Sequence, residues 1–275
     1  MTHIATAAGT FDALVAGPED GPEVLLLHGF PEFALEWEHQ LHALADAGHR
    51  AVAYDQRGYS PGVRPDEESQ YRLEHAVGDV FAVADSLGWQ RFHLVGHDWG
   101  AAVAWIAAAE RPDRVRTLSA VSVPHPAAFG AALRDDPEQQ QASRYMAMFR
   151  QPAPGPEQAI LARGALDLPG VPADHLAEYL RRLAEPGALT GALNWYRANE
   201  LSGGYDKPVT VPTLYVVGDQ DSAVARSGID ATADWVTGPY RLELLEGVGH
   251  FTPEEVPDTV SELILAHLRE HPGDR

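Results

Sequence analysis

The segment Gly96-His97-Asp98-Trp99-Gly100 joins a β-rich run, Phe92 to Val95, to an Ala-rich helical pattern. Glycines on both flanks let a strand turn sharply into a helix and hold the middle residue exposed and strained. That is the geometry of a nucleophile elbow, usually written with serine. Here the middle residue is Asp98, at a helix N-terminus that favours its anion. A carboxylate nucleophile forms an ester with an alkyl carbon, so the chemistry is displacement at carbon. The plainer reading of Asp98 is a helix N-cap. Strand, Gly-x-Asp-x-Gly and helix in register favour the nucleophile. Gly58-Tyr59-Ser60-Pro61-Gly62 also spells Gly-x-Ser-x-Gly. Gln56 and Arg57 separate it from its strand, however, and no helix start follows, so Ser60 is not expected to react.

An ester on Asp98 must be cleaved by water, which requires a general base. Gly247-Val248-Gly249-His250-Phe251 supplies His250 after the run Arg241 to Leu245. Gly218-Asp219-Gln220-Asp221 follows Thr213 to Val217 and offers two carboxylates to orient that histidine. Spacing alone does not choose between Asp219 and Asp221. His28-Gly29-Phe30-Pro31-Glu32 follows Val24 to Leu27. A turn there aims the Phe30 amide N–H into the site, where it pairs with the Trp99 N–H as a two-donor oxyanion hole. Phe30–Pro31 is an X–Pro bond and tolerates the cis form. The remaining histidines, His97 and His125 among them, read as loop or packing residues. His39 and His42 lie three apart without a third ligand, so no metal site is expected, and no cofactor is implied.

Positioning these groups requires a parallel sheet. Val24 to Leu27, Arg50 to Tyr54, Phe92 to Val95, Leu118 to Val123, Thr213 to Val217 and Arg241 to Leu245 are short apolar runs without strict alternation. Such runs suit strands covered on both faces. Helical patterns separate them: Trp37 to Ala47, Leu73 to Leu87, Ala101 to Ala109 and Val256 to Leu268. The repetition predicts an α/β fold, a mostly parallel doubly wound sheet, with Ile4 to Ala16 as an antiparallel edge. The alternation stops after Val123. Residues 124–207 are helical and proline-punctuated, as in Pro152-Ala-Pro-Gly-Pro and Leu168-Pro-Gly-Val-Pro. The expected organisation is a core of residues 1–123 and 208–275 with residues 124–207 inserted as a helical cap. Because the insertion follows a strand, it belongs at the carboxyl edge of the sheet, where ligands bind in open α/β folds.

Composition narrows the function. The chain has 275 residues, enough to bury a large core without staples. At 45% hydrophobic and 22% charged residues it is neither disordered nor fibrous. It has no cysteine, which excludes disulfides, thiolate metal sites and a cysteine nucleophile. Lys207 is the only lysine and so the only candidate for a Schiff base. The formal charge of −20 argues against nucleic acid or another polyphosphate partner. No targeting segment or membrane-length apolar run is visible, so a cytoplasmic location without membrane association is expected. Water and a small molecule are the expected partners, for a monomer or homodimer.

The ordered motifs carry a family resemblance. His28-Gly-Phe-Pro-Glu, Asp55-Gln-Arg-Gly-Tyr, Gly96-His-Asp-Trp-Gly, Gly218-Asp-Gln-Asp and Gly249-His-Phe match the α/β-hydrolase superfamily in order and spacing. Within it the chain resembles the epoxide hydrolases, of the Asp-nucleophile branch shared with haloalkane dehalogenases. The resemblance covers nearly the whole chain. It implies the α/β-hydrolase fold, with the order nucleophile, acid, histidine, and favours Asp221 over Asp219. It also implies two cap tyrosines that hold the epoxide oxygen. Tyr145 in Arg144-Tyr-Met-Ala-Met-Phe and Tyr196 in Leu193-Asn-Trp-Tyr-Arg stand in similar segments. Arg144 replaces an aromatic often found there. Two phenols aimed at a ring oxygen stabilise the alkoxide that ring opening creates and deliver its proton.

Three rivals share parts of this pattern. Haloalkane dehalogenases are similar at Trp99 but usually carry Asn where this chain has Phe30, and they lack the tyrosine pair. Fluoroacetate dehalogenases share His-Gly-Phe-Pro but usually have Arg at the Trp99 position. A noncatalytic binding protein on the same fold would have no chemical need for Asp98, Asp221 and His250 together. The expected substrate is an apolar epoxide, opened to a vicinal diol. Met146, Met148, Phe149 and Trp195 of the cap, with Trp99 below, are the expected pocket lining.

Overall fold

A computed structural model describes residues 1–162, 166, 168–201 and 203–272. Eight strands form one sheet: β1 (Thr2–Thr6), β2 (Gly9–Ala16), β3 (Glu23–Leu27), β4 (Arg50–Tyr54), β5 (Phe92–His97), β6 (Val115–Val121), β7 (Thr213–Gly218) and β8 (Tyr240–Leu245). Their spatial order is β1-β2-β4-β3-β5-β6-β7-β8. The hairpin β1–β2 is the antiparallel edge, and β4 to β8 run parallel with β3. Chain order reverses at β3, whose neighbours are β4 and β5. A crevice opens at such a switch point, beyond the carboxyl ends of the strands. Leu27 of β3 pairs with Gly96 of β5. The two loops that matter, His28–Glu32 and His97–Gly100, therefore leave the sheet side by side.

The helices of the core are α1 (Glu38–Asp46), α2 (Leu73–Ser86) and α3 (Trp99–Glu110). Between β6 and β7 come α4 (Pro126–Asp135), α5 (Pro137–Ala142), α6 (Tyr145–Phe149), α7 (Gly155–Ala162), α8 (Ala173–Leu183) and α9 (Ala188–Ala198). After β7 follow α10 (Arg226–Ala231), α11 (Thr252–Glu255) and α12 (Pro257–Glu270). Among the described residues no helix is long and apolar enough to cross a membrane.

Successive strand side chains point to opposite faces, and both faces are covered. Val24, Leu26, Ala51, Ala53, Val95 and Val216 pack with Leu41, Val260 and Ile264 of α1 and α12. Leu25, Leu27, Val52 and Leu94 pack with α2 and α3 on the other side. That is why these runs show no alternation. Helix α3 is buried all round from Trp99 to Ala109, which its alanines permit by letting sheet and helices close in.

Two expectations change. Tyr240–Leu245 is only half-buried, because it is the outer strand of the sheet and not a doubly covered one. The strand expected to end at Val123 stops at Val121, because Ser122 turns to a φ of 68°.

Candidate active site

Asp98 occupies the turn between β5 and α3 with φ 48° and makes no side-chain capping bond to the helix. Its glycine flanks are required by space. A Cβ at Gly96 would lie 2.3 Å from the Gly100 carbonyl oxygen, and one at Gly100 would lie 2.1 Å from that of Leu27. The carboxylate is thus pushed off the helix into the crevice. There the Phe30 N–H donates to Oδ1 at 2.9 Å. Trp99, the other expected donor, is the first residue of α3, with its ring edge-on to Tyr196 at 5.0 Å.

The Phe30 turn is braced from behind. His28 Nδ1 lies 2.8 Å from the Gly29 carbonyl oxygen, and its Nε2 accepts the Gln56 N–H at 2.9 Å. Burial drives the His28 pKa down to about 3, so the ring is a neutral strut. The Gly29 N–H donates to Glu36 Oε2 at 3.1 Å, and the Phe30–Pro31 peptide is cis.

His250 Nδ1 lies 3.0 Å from both oxygens of Asp221, and its Nε2 lies 3.7 Å from Asp98 Oδ2. Asp219 is exposed and accepts the Gly247 N–H at 2.7 Å. The two carboxylates of the loop therefore separate cleanly: Asp221 faces the histidine, and Asp219 staples the neighbouring turn. Burial opposes charge on His250, yet Asp221 and Asp98 outweigh it and hold the imidazole pKa well above its ordinary value. Burial likewise opposes charge on Asp98 and Asp221, but His250 draws both carboxyls below the usual range.

Tyr145 on α6 and Tyr196 on α9 meet with ring centroids 6.1 Å apart and line one cleft with Asp98 and Trp99. Both phenols are pushed up, first by burial; the charge on Asp98 adds to this in each. At neutral pH they are proton donors. Counting the space open to solvent at its mouth, the cleft spans about 540 Å³. Its other walls include Phe129, Met146, Leu201, Tyr205 and Val224.

Three expected lining residues stand elsewhere. Trp195 is buried behind Trp99, tied by its indole N–H to the Arg57 carbonyl oxygen at 2.8 Å. Phe149 is packed against Phe30, Tyr145 and Tyr196 as backing for the tyrosines. Met148 is half-buried and does not face the cleft. On a helix, Met146 and Met148 point to different sides, and Met146 is the one turned inward. Ser60 is buried and donates to the Asp55 carbonyl oxygen at 2.7 Å, a structural use.

The sequence reading missed two groups. His97, expected only to pack, lies beneath the site. Its Nε2 is 2.9 Å from the His250 carbonyl oxygen, and its Nδ1 is 2.8 Å from Glu36 Oε1. Glu32 lies beside them, and burial pushes the pKa of both glutamates well up. These three could offer ligand atoms to a metal ion, lying within 4.8 Å of one another. The four-residue spacing of Glu32 and Glu36 was the available signal. The second group is Ser122, whose Oγ contacts both Asp221 and His250. It stands just beyond the end of β6.

The family described as alpha/beta hydrolase fold matches residues 22–147. The chain is 34% identical to the AB hydrolase superfamily protein YfhM of Bacillus subtilis, over 94% of each chain. It is 33% identical to Epoxide hydrolase A of Mycobacterium tuberculosis, over 92% of each. A solved structure of epoxide hydrolases found in metagenomes from hot environments superposes with a TM-score of 0.86 at 31% identity, covering 97% of both chains.

Proposed function

The chain belongs to the α/β-hydrolase superfamily and to its epoxide hydrolases, and from that premise we propose that it opens apolar epoxides to vicinal diols through an ester on Asp98. Residues 124–207 act as a cap over the core formed by 1–123 and 208–275. The observation that carries this reading is the shared cleft. Asp98 lies on its floor, and two phenols enter from the helices above.

In the first step Asp98 attacks a ring carbon. The carbon–oxygen bond breaks, its electron pair goes to the ring oxygen, and a phenol of Tyr145 or Tyr196 supplies the proton. Esterification removes the charge next to His250 Nε2, so the imidazolium loses a partner that raised its pKa and passes its proton to the phenolate. Neutral His250, oriented by Asp221, then takes a proton from water as the water attacks the ester carbon. The Phe30 N–H, with that of Trp99, stabilises the oxyanion. The diol leaves with the second water proton, and the resting charges return.

The leaving group separates this from dehalogenation. Phe30 offers the site an N–H and a hydrocarbon ring but no side-chain amide for a halide. Styrene oxide-type and bromoalkane-type substrates test the reading with wild type, Tyr145→Phe, Tyr196→Phe and the double variant. Losing one phenol should cost on the order of 10²-fold in epoxide turnover, as for an oxyanion-hole donor. Halide release exceeding diol formation, or full epoxide turnover by the double variant, would promote the dehalogenase. Binding without turnover of either class would favour the noncatalytic reading.

A further inference from the structure

We infer that Ser122 is a positioning residue of this site, its hydroxyl bridging Asp221 and His250 so that the histidine is held as an effective base. Two independent observations meet at it. Among the described residues only Asp98 and Ser122 adopt a positive φ without being glycine, at 48° and 68°. At Asp98 a ψ of −118° puts the residue outside even the left-handed well that Asp tolerates, and for Ser a positive φ is uncommon. Such strain collects where the surroundings over-determine a functional conformation. Here the carbonyl oxygen of Ser122 accepts the Tyr215 hydroxyl at 2.7 Å, and its N–H donates to the Val216 carbonyl at 2.8 Å.

The second observation is what the strained backbone presents. The Ser122 hydroxyl donates to Asp221 Oδ2 at 2.7 Å and lies 3.0 Å from His250 Nδ1. One hydroxyl thus gives its proton to the carboxylate and turns a lone pair toward the imidazole N–H, as its single donor and two lone pairs allow. A donor to an ionised carboxylate is the stronger of the two bonds. It disperses the Asp221 charge, so the acid orients His250 without holding the imidazolium too tightly. The other titratable groups facing the pair are Asp98 at Nε2, His97 with Glu36 behind it, and the phenols of Tyr145 and Tyr215. None of these donates to Asp221 Oδ2 among the described contacts.

This deepens the proposed mechanism and rests on it, because only ester hydrolysis uses His250 as a base. Ser122→Gly removes the hydroxyl and relaxes the backbone, so it should melt no lower than wild type; Ser122→Ala removes the hydroxyl alone. Rapid-mixing kinetics with styrene oxide should show unchanged ester formation in Ser122→Gly and an accumulating ester. The acid limb of ester hydrolysis should move up by roughly one pH unit, a tenfold change in proton affinity. Wild-type kinetics in both variants, or equal slowing of both steps with an unmoved acid limb, would overturn the inference. NMR titration of His250 separates it from the functional reading. If wild type forms no ester, the epoxide proposal fails, whereas an unmoved His250 pKa in Ser122→Gly means that Ser122 fails.

Discussion

His250 stands between two carboxylates, with Asp221 3.0 Å from its Nδ1 and Asp98 3.7 Å from its Nε2. The asymmetry suits a histidine that is anchored on one side and serves water on the other. His250→Gln should therefore form the ester on Asp98 and fail to cleave it. Mass spectrometry after exposure to styrene oxide should find the intact epoxide mass on the peptide bearing Asp98. An adduct elsewhere, or none while diol forms, would exclude a covalent Asp98 route.

The same anchoring separates two acids that lie two residues apart. Asp221→Asn should reduce turnover by about 10⁴-fold, as loss of the orienting carboxylate does in serine triads. Asp219→Asn touches only exposed loop bonds, from the Gly247 N–H and the Gln220 side-chain amide, and should stay near wild type. Steady-state kinetics of the two variants decide the assignment; the reverse pattern would refute it.

The pH dependence of stability follows from the directions of shift. The His250 pKa is raised in the folded state, so its contribution is fully present below about 6.5 and is lost as pH rises through the folded value. Asp98 and Asp221 are lowered, so theirs is present above about 3.8 and is lost as pH falls through their folded values. These are the same contacts seen from both partners. In Asp98→Asn one partner is neutral, so NMR should place the His250 pKa lower than in wild type. Melting temperature should then fall less on the alkaline side. An unchanged His250 titration would contradict the coupling.

The helical segment is tied to the core by a buried ion pair. Arg182 of α8 meets Asp55 Oδ2 at 2.5 Å and lies over the Phe33 ring at 4.0 Å, while Asp55 Oδ1 accepts the Ala34 N–H. Burial raises the Asp55 pKa despite Arg182, so desolvation outweighs the attraction. Arg182→Met alone should destabilise by about 3–5 kcal/mol, because it leaves a buried charge unpaired. Asp55→Asn with Arg182→Met should recover most of that loss in urea unfolding. A double variant as weak as the single one would show that the pair itself carries the stability.

Two aromatic substitutions test where the pocket wall runs. Phe129→Ala should raise KM for an aryl epoxide by about tenfold, the scale of lost hydrophobic contact in a pocket. Trp195→Phe should leave KM near wild type and lower stability by about 1–3 kcal/mol, since it strands the buried Arg57 carbonyl. Exchanged effects would put Trp195 back on the wall.

The elements and the candidate site residues were legible in the sequence because local chemistry specifies them. Doubly covered strands must be continuously apolar, and a tight strand-to-helix turn must have small flanks, so Asp98 was visible between Gly96 and Gly100. His250 and the Phe30 turn follow strands directly and inherit their positions from the ends of the sheet. Tertiary structure decided what depends on direction. Asp219 and Asp221 carry the same group in one loop, and only the packing of β7 against β8 turns one to His250 and the other to Gly247. Trp195 and Tyr196 are neighbours on α9, yet the helix sends one indole to the Arg57 carbonyl and one phenol to the cleft. Ser122 has no motif of its own, and Glu36 has only its spacing from Glu32. They matter because strands and loops distant in sequence converge at the switch point, where a hydroxyl or a carboxyl takes its meaning from the group facing it.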